Sequence, residues 1–211
     1  MSSNWKIAGV GDFNGDGKSD VVFRNSATGE VVVWLMNGTS ISSTSYVPAT
    51  TDTNWNIVGV GDFSGDGKAD LFWRNASTGE TQVWLMNGGS LGSVIFTSTV
   101  PDLNYKVAGV GDVNGDGRSD VVWSHQANGD VVVWLMNGGT VTSAASIGQV
   151  SDVNWHLEGV GDFDGDGKAD LFWRKVTTGE TVIWLLNGLS IKQASFVAQL
   201  NDLNWSTVAP R

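Results

Sequence analysis

The chain has 211 residues, a formal net charge of −10, 41% hydrophobic residues and no cysteine. That composition excludes disulfide staples and thiolate metal sites. No apolar run reaches the length of a membrane-spanning helix, so no membrane insertion is expected, and no Lys/Arg cluster offers a surface for nucleic acid.

Met1–Trp5 has neither the basic nor the apolar part of a secretory leader, so no signal peptide is read there. Asn4–Val10 reads as a short extended segment. Its Gly9, and Gly11 just after it, suit a strand where backbones crowd together. Gly11–Asp20 is an acidic, glycine-rich loop. Val21-Val22-Phe23 follows, apolar on both faces and therefore a strand covered on both sides. Ala27–Glu30 is a turn, and Val31–Met36 is a second doubly covered strand. Asn37-Gly38 is read as the hairpin turn, with both residues able to take a positive φ. Ser40–Val47, polar and variable, has the look of an outer edge strand.

The same order returns every 50 residues, with acidic loops at 11–20, 61–70, 111–120 and 161–170. A four-stranded sheet with two apolar faces must stack on copies of itself, and radial stacking gives a β-propeller. The expected fold is therefore all-β, a single propeller domain of four-stranded antiparallel blades. The repeats are 4–53, 54–103, 104–153 and 154–203. Residues 204–211 begin a partial fifth repeat that reads as an extra closing or pairing strand. A linear solenoid is the structural alternative. Repeats one and three resemble each other, as do two and four, which suggests a duplicated pair.

The loops carry the chemistry. Thirteen of the 22 acidic residues lie in them, leaving nine against 12 Lys+Arg elsewhere, so the net acidity is local to the loops. Alternating oxygens in a tight loop match the six to eight oxygen ligands that calcium prefers. The candidate metal ligands are Asp12, Asn14, Asp16, the Lys18 carbonyl and Asp20 in the first repeat. They are Asp62, Ser64, Asp66, Lys68 and Asp70 in the second, and Asp112, Asn114, Asp116, Arg118 and Asp120 in the third. The fourth offers Asp162, Asp164, Asp166, Lys168 and Asp170. About four Ca2+ are expected, one per repeat. Ser64 makes the second site the weakest, and Asp164 gives the fourth the most charge. The EF-hand is excluded, because its closing Glu would fall at Phe23, Trp73, Trp123 and Trp173. Plain polar turns are the alternative, since Asp, Asn and Gly favour turns. Four such loops at fixed spacing argue against it.

This Asp-x-Asn-Gly-Asp-Gly-x-x-Asp loop between two strands resembles the FG-GAP/VCBS repeat family, whose best-known relative is the integrin α-chain propeller. The resemblance implies a propeller with calcium between the first and second strands of each blade, in an extracellular or cell-surface setting. The Trp-Leu-Met-Asn-Gly version is similar to secreted bacterial repeats and to bacterial propeller lectins that bind fucose-type sugars. The Phe-Gly and Gly-Ala-Pro sequences behind the family name are absent.

Aromatic residues supply the ligand reading. Trp34, Trp84, Trp134 and Trp184 are assigned to the core between blades, as are Phe23, Trp73, Trp123 and Trp173. Trp5, Trp55, Tyr105 and Trp155 follow polar loops and are candidates for a ligand-binding rim, with Arg24, Arg74 and Arg174 bonding hydroxyls. Ion pairing with loop carboxylates is the alternative role for these arginines. Ser124-His125 breaks the pattern, so a site in repeat three should differ. His125 and His156 sit at unmatched positions and no nucleophile motif is present, which argues against an enzyme. The functional expectation is a calcium-stabilised module that binds glycans or a cell-surface protein multivalently. The alternative is a structural or protein–protein interaction repeat domain of a larger extracellular protein, assembling as a homo-oligomer into a larger ring.

Overall fold

The computed structural model describes residues 4–204 and contains strands only, sixteen of them, in four antiparallel four-stranded sheets. Blade one is β1 (Trp5–Gly11), β2 (Asp20–Asn25), β3 (Val31–Asn37) and β4 (Ser40–Val47). Blade two is β5 (Trp55–Gly61), β6 (Asp70–Asn75), β7 (Thr81–Asn87) and β8 (Ser90–Phe96). Blade three is β9 (Tyr105–Gly111), β10 (Asp120–His125), β11 (Asp130–Asn137) and β12 (Thr140–Gln149). Blade four is β13 (Trp155–Gly161), β14 (Asp170–Lys175), β15 (Glu180–Leu186) and β16 (Ile191–Gln199). Strands pair in chain order within each blade, the up-and-down pattern of a β-propeller. The extra strand expected over 204–211 lies, but for Asn204, outside the described residues.

Among the described residues, 4–103 with the 137–140 turn form one compact unit, and the rest form a second. Each unit thus holds the core of two successive repeats. In the first, Val22, Val31 and Val33 of blade one pack with Leu71, Trp73 and Trp84 of blade two. In the second, Val122, Val131 and Val133 pack with Leu171 and Trp173. Trp73, Trp123 and Trp173 are all buried. Burying one large apolar side chain of this kind stabilises by roughly 2–3 kcal/mol. The outermost strands are the most exposed, as their polar sequence requires.

Backbones do crowd at the inner strands. A Cβ on Gly11 would lie 2.7 Å from the Ala69 Cβ, and one on Gly109 2.2 Å from Val160 Cγ2. The ladder between the first two strands of each blade shifts by one residue beside these glycines, at Ala8, Val58, Ala108 and Glu158. Such a bulge bends the strand and increases its twist.

The hairpin turn differs from the sequence reading. Asn37 pairs with Ser40 as the last rung of the ladder, so Gly38 and Thr39 are the central residues. Gly38 has φ 60°, and among the described residues none other than glycine has a positive φ. In blade two both central residues are glycine, Gly88 and Gly89, and both take positive φ. The turn signal is real, but the ladder absorbs its asparagine.

Candidate functional site

The acidic loops fold around their first aspartate. Asp12 Oδ1 accepts the N–H groups of Gly15 (2.7 Å) and Asp16 (3.2 Å), and its Oδ2 accepts that of Gly17 (2.7 Å). Asp62 and Asp112 hold the same three amides, and Asp162 holds those of Gly165 and Gly167. Asn14 and Asn114 accept the N–H of Asp16 and Asp116, whereas the Ser64 hydroxyl donates to Asp62. The aspartate of the Gly-Asp-Gly turn faces the basic residue two positions on. Lys18, Lys68 and Lys168 form ion pairs with Asp16, Asp66 and Asp166 at 3.1, 3.2 and 3.4 Å, while the Arg118 N–H donates to Asp116. The Lys18 bond holds the Asp16 carboxyl below the usual range.

The last aspartate plays a different part. Asp20, Asp70, Asp120 and Asp170 are buried, with one oxygen on the N–H of loop residue 13, 63, 113 or 163. The other oxygen accepts the N–H of Met36, Met86, Met136 or Leu186 at 2.7–2.9 Å. Each one therefore ties its loop to the third strand of its blade. Burial pushes the Asp70 carboxyl up to about 6, against the pull of its backbone donors. Burial likewise pushes Asp120 up to about 7.

Among the described residues, one set of three carboxylates comes close enough to share a cation: Asp162, Asp164 and Asp166, whose oxygens lie within 4.8 Å of one another. The set is exposed and supplies oxygen donors alone, which suits a hard divalent ion. Lys192 Nζ lies 2.9 Å from Asp164 and 3.2 Å from Asp166, so positive charge already gathers there. The other loops have Asn14, Ser64 and Asn114 at the place of Asp164 and form no such triad.

The rim expected from the sequence is only partly assembled. Trp55 is packed in the core of the first unit, and its ring meets Phe96 edge-on at 6.5 Å. Trp5 is half-buried. The Tyr105 hydroxyl donates to Asp130 at 2.7 Å, and its ring stands edge-on to His125 at 4.6 Å. Arg24, Arg74 and Arg174 are all buried rather than at a rim. Arg24 donates to the Gly29 carbonyl, and Arg74 to the carbonyls of Val100 and Asp102.

Arg24 does something further. Its guanidinium carbon stands 5.0 Å above the centre of the Trp73 ring. Asp52 faces Arg24 and is bonded by Asn75 Nδ2 at 3.1 Å. In the second unit Ser124 holds the register position of Arg24, paired with Val131 and Lys106 as Arg24 is with Val31 and Lys6. Lys175 replaces Asn75, and Val182 replaces Gln82. Over Trp173 there is a pocket of about 310 Å³, walled by Trp155, Trp184 and Val182. Gln149, Ser151 and Asp152 supply its polar edge. Lys175 Nζ bonds Asp152 at 2.9 Å, and this bond, with those from Asn154, lowers the Asp152 carboxyl to about 2. In the second unit the cation is Lys175, paired with Asp152 and not set over a ring, and Trp173 borders the pocket while remaining buried. Of the expected ligand residues, Trp155 alone lines this pocket. Its other walls lay in positions assigned to core or linker, and the one sequence signal for it is the break at Ser124.

His125 marks a related exchange. Asn25 and Asn75 accept two N–H groups of the following turn through Oδ1. His125 does so through Nδ1, at 3.2 and 3.1 Å from Ala127 and Asn128.

Blades of this order and acidic loops at this spacing define a propeller repeat protein. The FG-GAP-like repeat family matches residues 12–73, 62–123 and 112–173, and the chain belongs to that family. No curated protein matches it in sequence. Among solved structures it is similar to hydrazine synthase of Kuenenia stuttgartiensis, with TM-score 0.52 and 11% identity over 93% of this chain and 51% of that one. It thus spans about half the length of that protein. The WD40 domain of SCAP from fission yeast gives TM-score 0.46 and 11% identity, over 96% and 55% of the two chains. Glutaminyl cyclase of Myxococcus xanthus gives 0.44 and 9%, over 90% and 75%. At 11% identity the likeness to hydrazine synthase is one of fold alone.

Proposed function

We propose that this chain is a calcium-stabilised binding module of the extracellular space or cell surface, and that it takes a carbohydrate in the pocket over Trp173. The observation that carries this reading is the exchange of Arg24 and Asn75 for Ser124 and Lys175. It conserves charge while placing a serine at the strand position from which Arg24 covers its tryptophan. A sugar ring would stack its apolar side on Trp155 and Trp184, both partly exposed, at the mouth of the pocket that Trp173 floors. Its hydroxyls would bond Asp152, Gln149 and Ser151. Calcium ions in the four loops would neutralise the acidic cluster of each blade and fix the loop beside its strands, with the fourth loop binding first. Multivalence on this reading comes from assembly, because Arg24 already fills the matching seat in the first unit. Binding, not catalysis, suits groups so fully engaged in structure. The last loop aspartates hold backbone amides, and His125 holds a turn.

A glycan array followed by calorimetry tests the reading. Wild type should bind, Trp155→Ala should lose at least ~10-fold in affinity, and Ser124→Arg should abolish binding by refilling the seat. Arg24→Ser should open a second site. Failure to bind any glycan, or full binding by Ser124→Arg, would sink it.

A further inference from the structure

The same aspartate has a different partner in each unit. In the first, Asp52 Oδ1 accepts the N–H of Asn54 at 2.9 Å and its Nδ2 at 2.8 Å, and Oδ2 accepts the neutral amide of Asn75 at 3.1 Å. In the second, Asp152 Oδ1 accepts the matching groups of Asn154 at 3.0 and 2.7 Å, and Oδ2 meets the Lys175 ammonium at 2.9 Å. The hydrogen-bond cage is the same, with a cation in place of an amide.

What each aspartate faces changes with that partner. Asp52 has only neutral groups in its cage, and it faces the Arg24 guanidinium, which stands over Trp73. Asp152 has its charge balanced by Lys175, and the strand position of Arg24 is taken by Ser124. Glu180 also acts on Lys175, but Glu80 stands at the matching place in the first unit and so does not separate the two. Within one chain, asparagine at this position goes with a cation at the aspartate, and lysine goes without one.

Hydrogen-bond bookkeeping at the pocket agrees. An ionised carboxylate offers about four acceptor sites. Asn154 and Lys175 occupy most of those on Asp152, which leaves about one for a ligand hydroxyl. Gln149 Nε2 is tied to the Asn128 carbonyl at 2.8 Å, so its amide oxygen is what it offers a ligand, again an acceptor. Such an edge takes hydroxyl hydrogens. A ligand cation beside Asp152 would meet like charge at Lys175, and a ligand carboxylate would meet Asp152 itself. The pocket, at about 310 Å³, lies at the small end of ligand sites and has room for one sugar ring.

We propose that Lys175 determines the specificity of this pocket: by balancing the charge of Asp152 it restricts the ligand to an uncharged one, a single neutral sugar ring that gives hydroxyl hydrogens to Asp152 and Gln149. That the ligand is a sugar rests on the carbohydrate reading above, whereas the charge rule stands on the comparison of the two units. Lys175 acts through Asp152 and is a positioning residue. Its removal should therefore change which charge is accepted, and not only how tightly a ligand is held.

NMR titrations at pH 7 and constant ionic strength, read on the indole N–H signals of Trp155 and Trp184, test this. Methylguanidinium, the head group of Arg24 as a free cation, is the first probe. Wild type and Lys175→Arg should bind it weakly. Lys175→Asn, which restores the partner that Asp52 has, and Lys175→Gln should each bind it at least ~5-fold more tightly. Adding Asp152→Asn to either should remove the gain. Thermal melts identify the folded variants. The second probes are matched methyl glycosides in gluco and galacto configuration, each as the neutral sugar, the 2-amino sugar and the uronate. Wild type should favour the neutral member at least ~5-fold, and Lys175→Asn should raise the amino sugar relative to it by a similar factor. No gain of methylguanidinium binding in the folded Lys175 variants, or a gain that survives Asp152→Asn, overturns the inference. So does a wild type that binds the amino sugar or the uronate as well as the neutral sugar. A wild type that binds no sugar, while Lys175→Asn gains methylguanidinium, supports the charge rule and sinks the carbohydrate reading.

Discussion

Replacing Asp120 by asparagine separates the two jobs this side chain performs. In the wild type both carboxylate oxygens hold backbone N–H groups, Val113 at 3.1 Å and Met136 at 2.8 Å. An asparagine satisfies one of them and turns its NH2 toward the other. The loss of one buried hydrogen bond costs about 1–3 kcal/mol. Against this stands the cost of keeping a buried carboxylate ionised. Its folded pKa is raised from 3.8 to about 7, first by burial, so the folded state holds the proton more tightly than the unfolded chain. The stability this gives is present in full below pH 3.8 and is lost as pH rises through 7. Between pH 4.5 and 7.5 the loss from Asp120 is about 3 kcal/mol, or roughly 6–12 °C in melting temperature for a chain of this size. Asp70, raised to about 6, adds a smaller loss of about 2 kcal/mol in the same window. Thermal melting in a metal chelator should therefore show wild type losing stability from pH 4.5 to 7.5, with Asp120→Asn much flatter. The variant should be the weaker protein at pH 4.5 and equal or better at pH 7.5. A constant gap between the two curves would refute the assignment of the slope to Asp120.

Phe13→Ala should lower stability by about 3–5 kcal/mol, because the ring is wholly buried. Phe163→Ala, at a position 48% exposed, should cost less than about 1.5 kcal/mol in the monomer; urea midpoints compare the pair. Gly129→Ala should cost about 3 kcal/mol or more by the same assay, since φ is +75° and the new Cβ would fall 1.8 Å from the Val150 carbonyl oxygen. Calcium titration by calorimetry should show Asp164→Asn weakening the fourth loop, and Lys192→Ala strengthening it by removing a competing ammonium. Equal effects of Asp164→Asn on all loops would contradict that placement.

Much of this architecture is local and therefore legible in order along the chain. Strand identity follows from apolar runs such as Val31–Met36, and the loops from closely spaced aspartates and glycines. The 50-residue period then demands stacking, because no single blade can cover both of its faces. What tertiary structure decided depends on groups brought together across repeats. Asn37 could serve equally as a turn residue or as a ladder rung, and the register of β3 with β4 selects the rung. Arg24 looks like a rim cation until packing turns it onto Trp73, some fifty residues away. The last aspartate of each loop looks like one more exposed ligand. It is buried in the fold with one oxygen on an amide of the third strand, and at Asp70 and Asp120 that burial raises the proton affinity. The sequence by itself determined the elements, their number and the chemistry of the loops. Only the tertiary structure decided which equivalent residues stay equivalent, because packing sets Arg24 over Trp73 in one unit while the same strand position in the other is a serine.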